Sequence, residues 1–145
     1  MMEKDKLATP TLTMNAIKVA MEIIYIILTT IFISIVLYPV LIAIGSNPSE
    51  NFFNLFKIEL ANNLWLFSLC LVFSNILTII SIVTLVFNIL VTIKLFRNKK
   101  TNLAILFLIG ILVISIVGLI ASVKYYKENT KFNQDENVKP TTKTI

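Results

Sequence analysis

Three long apolar stretches, Ala16–Ile44, Leu64–Phe96 and Leu103–Val123, take up most of the chain and settle its solvent before any motif is considered. Crossing a hydrocarbon layer of about 30 Å takes roughly 20 apolar residues in a helix, and each stretch is long enough. An apolar share of 57% over 145 residues and a mean hydropathy of +0.85 exceed what a soluble domain of this length hides in a core. A closed barrel would need strands of about 10 residues with alternating polarity, and no such alternation occurs. The sequence therefore predicts an all-α integral membrane protein with three transmembrane helices, over about 16–44, 64–96 and 103–123. A polar N-terminal segment, 1–15, precedes this three-helix membrane domain of 16–126, and a disordered basic tail, 127–145, follows it.

Charge placement sets the expected orientation, because positive loops stay in the cytoplasm. Lys94, Arg97, Lys99 and Lys100 cluster after the second stretch without an acid among them. Loop 97–102 is therefore expected inside, together with the N-terminus and its Lys4, Lys6 and Lys18. With three crossings the tail, carrying Lys124, Lys127, Lys131, Lys139 and Lys143, falls outside against the rule. Tyr38, Trp65, Tyr125 and Tyr126 all lie at helix ends on the side this topology makes external. The net charge of +5 thus reads as a topology signal, and no nucleic-acid partner is expected.

The first helix carries one narrow polar stripe, Asn15, Lys18, Glu22, Tyr25 and Thr29, at helical spacing. Lys18 and Glu22 lie one turn apart, within reach of pairing. They read as interfacial charges whose long side chains reach toward water, or, with Glu22 set deeper, as an ion or proton site facing the bundle, or as a place where a partner subunit docks. Pro39 should kink this helix before it ends near Gly45. Ala43-Ile44-Gly45 has the small residues that a signal peptidase favours, but the apolar run is longer than a signal core of about 7 to 15 residues, so an uncleaved anchor is expected.

Asn47-Pro48-Ser49-Glu50 offers a cap, a first-turn proline and an acid, so a helix should start there. Phe52, Phe53, Phe56 and Leu60 would give it an apolar face, either as a short external amphipathic helix or as an extension of the second span. The stretch from Leu64 to Phe96 lacks Gly and Pro and reads as one helix. Ser74, Thr78, Ser81, Thr84, Asn88 and Thr92 share about a third of its circumference, best explained by hydrogen bonds between helices or, alternatively, by a lined water path. In the third stretch Ala104, Gly110, Ser115, Gly118, Ala121 and Ser122 gather on one side, and Gly118 with Ser122 has the spacing that lets backbones approach.

Several chemistries lack their residues. The chain has no His, its aspartates Asp5 and Asp135 lie in the polar ends, and its one cysteine, Cys70, sits within the second stretch. Aspartate-pair or serine–histidine proteolysis, thiolate metal cages, phosphate loops and dinucleotide fingerprints are therefore unsupported. No catalytic residue, no metal ligand and no cofactor is expected, and the protein should not be an enzyme. Abundant Ile, Asn and Lys beside three Gly suggest the codon bias of an AT-rich bacterial genome. Arg97-Asn98-Lys99-Lys100-Thr101-Asn102 followed by Leu103–Tyr126 resembles, in composition, the terminal hairpin of many small membrane proteins of low-GC bacteria. The expected partners are the lipid bilayer and either another membrane protein or further copies of the chain. The functions that fit are an accessory, assembly or immunity-type interaction protein, a self-associating pore former resembling phage holins, or a small transport or ion-binding component centred on Glu22.

Overall fold

A computed structural model describes residues 6–47, 49–112 and 115–137, with side chains through Thr130. Helix α1, Ala8–Ser46, starts with Pro10 in its first turn, where backbone N–H groups lack intrahelical partners in any case. Within it lies a π turn, Ile33–Leu37, where the Tyr38 N–H donates to the Ile33 carbonyl. Pro39 explains the turn: it lacks an N–H, and its ring would crowd the carbonyl four residues back, so the backbone widens just ahead of it.

Helix α2, Phe52–Asn62, starts later than the sequence suggests. Asn51, in an extended conformation, caps it by accepting a hydrogen bond from the Phe53 N–H at 2.9 Å. Asn47 instead closes α1, and its carbonyl accepts from the Glu50 N–H in a turn. The expected proline at the start, Pro48, lies outside the described residues. Asn63 separates α2 from helix α3, Leu64–Arg97, so α2 is a helix of its own and not an extension of the second span.

Helix α3 runs 34 residues and ends in a motif with two reversed hydrogen bonds, Lys99 N–H to the Phe96 carbonyl and Lys100 N–H to the Leu95 carbonyl. Lys99 takes φ 58°, the left-handed conformation this motif demands. Lys94 and Arg97 in the last turn suit the negative end of the helix dipole.

The expectation of three membrane-spanning helices is overturned. Among the described residues two helices, Ala8–Ser46 and Leu64–Arg97, are long and apolar enough to cross a bilayer. Only 11% and 22% of their most apolar windows are buried, whereas the core helix of a soluble protein would be mostly covered. The third stretch is divided into α4, Thr101–Leu112, and α5, Ser115–Asn137, which pack on each other. At 12 residues α4 is about 18 Å long, well short of the hydrocarbon thickness. Helix α5 is apolar only as far as Val123 and continues with Lys124, Lys127 and Glu128. Its helical backbone extends to Asn137, past the expected start of the tail, and residues 138–145 lie outside the described part.

The α4–α5 pair is antiparallel. Gly110 lies against Gly118, the Phe107 and Tyr125 rings meet edge to face at 6.0 Å, and Lys100 pairs with Glu128 at 2.8 Å. Small residues are the physical reason. A Cβ on Gly110 would come within 2.5 Å of the Gly118 nitrogen, so the crossing needs glycine there.

The chain forms two compact units, one of Met1–Val19 with Ile80–Ile145 and one of Ala20–Ile79. The first holds the main apolar cluster, with Val91, Leu95, Ala104, Phe107, Ala121 and Tyr125 at its centre. In the second, α2 packs on the segment containing the π turn, and Val36, Val40 and Leu66 are buried.

Candidate functional site

The first unit contains a set of buried polar groups. Asn15 of α1 and Asn88 of α3 are 2% and 4% exposed and exchange hydrogen bonds. The Asn15 Nδ2 donates to Asn88 Oδ1 at 2.8 Å, and the Asn88 Nδ2 donates back to Asn15 Oδ1 at 3.2 Å. The second Asn15 amide proton goes to the Thr11 carbonyl at 2.9 Å, so both donors of that side chain are used. One turn to either side on α3, Thr84 donates to the Ile80 carbonyl at 2.7 Å and Thr92 to the Asn88 carbonyl at 2.7 Å. Thr84 also makes a longer contact, 3.4 Å, with the Met14 carbonyl across the helix pair.

Glycine admits α5 to this site. A Cβ at Gly118 would lie 3.0 Å from Asn15 Oδ1 and 3.7 Å from Asn88 Nδ2, so the bare backbone passes directly over the amide pair. Ser122, one turn on, is fully buried and donates to the Leu119 carbonyl at 2.8 Å. Thr11 is fully buried too, and its Oγ1 has no hydrogen-bond partner among the described residues.

The residues expected from sequence separate into two groups. Asn88, Thr92, Gly110, Gly118 and Ser122 come together in the first unit, with Ser81 and Ser115 half-buried in the same unit. Lys18 also belongs there and is half-buried. Glu22, Tyr25, Thr29, Ser74 and Thr78 belong to the second unit. There Thr29 donates to the Tyr25 carbonyl and Thr78 to the Ser74 carbonyl, each at 2.8 Å within its own helix. Thr78 is exposed and Ser74 half-buried, so the α3 stripe is buried only toward its C-terminal end. Sequence reasoning missed Thr11, which fell in the segment assigned as polar and peripheral. Its signal was the four-residue spacing to Asn15.

Chemically the cluster is neutral. Two amides and four hydroxyls offer no group able to move a proton near neutral pH. The Asn15–Asn88 exchange ties the register of α1 to that of α3, whereas Thr84, Thr92 and Ser122 are satisfied by carbonyls of their own helices. Among the described residues no group of three or more His, Cys, Asp or Glu is placed to hold a metal ion.

No protein-family model matches the chain, and neither a curated protein nor a solved structure matches it.

Proposed function

We propose that this is a small, non-enzymatic, multi-pass protein of the cell membrane that acts through intramembrane helix packing, as an accessory, assembly or immunity-type interaction protein. The observation that carries this reading is the closed polar cluster of the first unit. Asn15 and Asn88 exchange hydrogen bonds between α1 and α3, while Thr84, Thr92 and Ser122 beside them are satisfied by carbonyls of their own helices, which suits a device for holding helices better than a conduit. The long helices meanwhile leave Ile23, Ile26, Ile27, Ile79, Ile82 and Ile93 exposed for lipid or another membrane helix. Purification of the full chain from its host membrane in mild detergent, with mass spectrometry of what stays bound, tests the reading. A stoichiometric membrane-protein partner is expected, and a large homo-oligomer without partners would sink it.

A holin-like, self-associating pore former is the second reading, and exposed Asn75 and Thr78 on α3 favour it. Polar groups on an apolar helix surface gain from a partner helix, and identical copies would supply one. Single-channel conductance of the purified protein in planar bilayers separates it from the first reading.

The orientation follows from charge. We place the N-terminus and loop 97–102 in the cytoplasm and, because Glu128 pairs with Lys100, place the start of the polar part of α5 there with them. Lys124 and Lys127, which three crossings would have exported, thereby rejoin the basic loop. In a Cys70→Ser background, cysteines at Asn98 and Asn129 should both be shielded from an impermeant maleimide in intact cells. Labelling of position 129 alone would refute the placement.

A further inference from the structure

Two adjoining clefts lie at the open end of the α4–α5 hairpin. The first, about 440 Å³, is lined by Lys99, Lys100, Thr101, Asn102, Lys124 and Glu128, three lysines against one glutamate. The second, about 550 Å³, is walled by Leu119, Ile120 and Val123 and rimmed by Lys127. Lys124 and Glu128 line both, so the cationic space passes directly into the apolar one.

We propose that the two clefts together bind one anionic phospholipid, its phosphate headgroup among Lys99, Lys100 and Lys124 and an acyl chain along Leu119, Ile120 and Val123. The match is one of amphiphile to amphiphile. Glu128 neutralises Lys100 at 2.8 Å, which leaves the charge of Lys99 and Lys124 for the headgroup. The Thr101 hydroxyl and the Asn102 amide add neutral donors that suit phosphate oxygens. A zwitterionic lipid brings no net charge to this end, and free phosphate leaves the apolar cleft unused. Lys99 itself sits at φ 58°, a left-handed conformation in which glycine would be less strained. The proposal rests on membrane embedding alone and does not depend on which partner the protein serves.

Native mass spectrometry of the full chain in mild detergent, offered phosphatidylglycerol or phosphatidylcholine with the same acyl chains, tests it. Phosphatidylglycerol should be retained preferentially. Lys99→Gln with Lys124→Gln, which spares the Lys100–Glu128 pair, should weaken its retention roughly 25-fold, at about fivefold for each lysine. Val123→Trp, which fills the apolar cleft, should also weaken it, whereas Lys57→Gln on α2 should not. Equal retention of the two lipids, or an unchanged affinity in the double variant, overturns the proposal. So does displacement of the lipid by inorganic phosphate at concentrations matching those of the lipid, which would assign the cleft to a free anion. Should the double variant fold poorly, Lys99→Gly serves instead: it relieves the backbone, and so should weaken the lipid about fivefold without loss of thermal stability.

Discussion

The two units use similar residues to different ends. In the first, hydroxyls such as Thr92 and Ser122 also bond within their own helices, but two amides meet across helices in the Asn15–Asn88 exchange and Thr84 adds a longer contact with the Met14 carbonyl. In the second, Thr29, Thr30, Ser34, Ser68 and Thr78 each donate to the carbonyl four residues back in their own helix. Its contacts between α1 and α3 are softer: the Phe32 and Phe67 rings at 6.2 Å, and Cys70 Sγ with the Leu28 carbonyl at 3.9 Å. In lipid an apolar side chain gains little by exchanging an acyl chain for a protein neighbour, so polar and small residues do most of the specifying. A hydroxyl satisfied within its own helix says nothing about that helix's neighbour, whereas an amide exchanged between helices names it.

Substitutions matched between the units should break or sharpen this contrast, each measured by reversible unfolding in mixed detergent. The largest effect is expected at Gly110. Valine there must push apart two backbones and should cost about 3 kcal/mol, whereas Gly45→Ala, with nothing within 4 Å of its added carbon, should leave stability unchanged. A near-neutral Gly110→Val would remove the close crossing from the account. Next comes Asn88→Leu, which strands a buried amide of Asn15 and should cost about 2 kcal/mol. Exposed Asn75→Leu should cost almost nothing, and Asn15→Leu combined with Asn88→Leu should recover most of the loss. If the two single costs simply add, the amides are not coupled.

Thr11→Val should act in the opposite direction. It removes an unpartnered buried hydroxyl at nearly constant volume and should stabilise by about 1 kcal/mol, while Thr30→Val on the exposed face of α1 should change little. Destabilisation by Thr11→Val would mean that the hydroxyl has a partner in the membrane. The smallest effect is expected from Lys100→Gln. Its pair with Glu128 is half-exposed, so the loss should stay below about 0.5 kcal/mol and vanish in high salt.

Hydropathy made the helical class and the two long spans legible, and Pro39 announced its disturbance of α1. It could not show that the third stretch turns back, because a count of apolar residues carries no direction. The relevant signal was symmetry. Gly110 and Gly118, like Lys100 and Glu128, lie equally far on either side of position 114. Read along one straight helix, Ala104, Gly110, Gly118 and Ala121 form one face; in the hairpin they are two half-faces meeting each other. The start of α2 was misplaced for a related reason. Asn47 and Asn51 are the same residue type, and only the extended backbone of Asn51 decides which of them caps. The α3 hydroxyl stripe was legible as a stripe, but its burial at Thr84, Asn88 and Thr92 alone depends on Asn15 and on the bare backbone of Gly118, both remote in sequence.

The π turn at Ile33–Leu37 has a consequence for helical phase. It takes in one residue more than an α turn, and each residue advances an α-helix by about 100°. Beyond Leu37 the side chains of α1 are therefore a quarter-turn or so out of step with a wheel counted from Glu22. A lipid or protein lying along the helix meets one face before the turn and another after it. Shortening the segment Ile33–Leu37 by one residue would bring the two faces into a single register, at the one place where the helix already holds the spare residue.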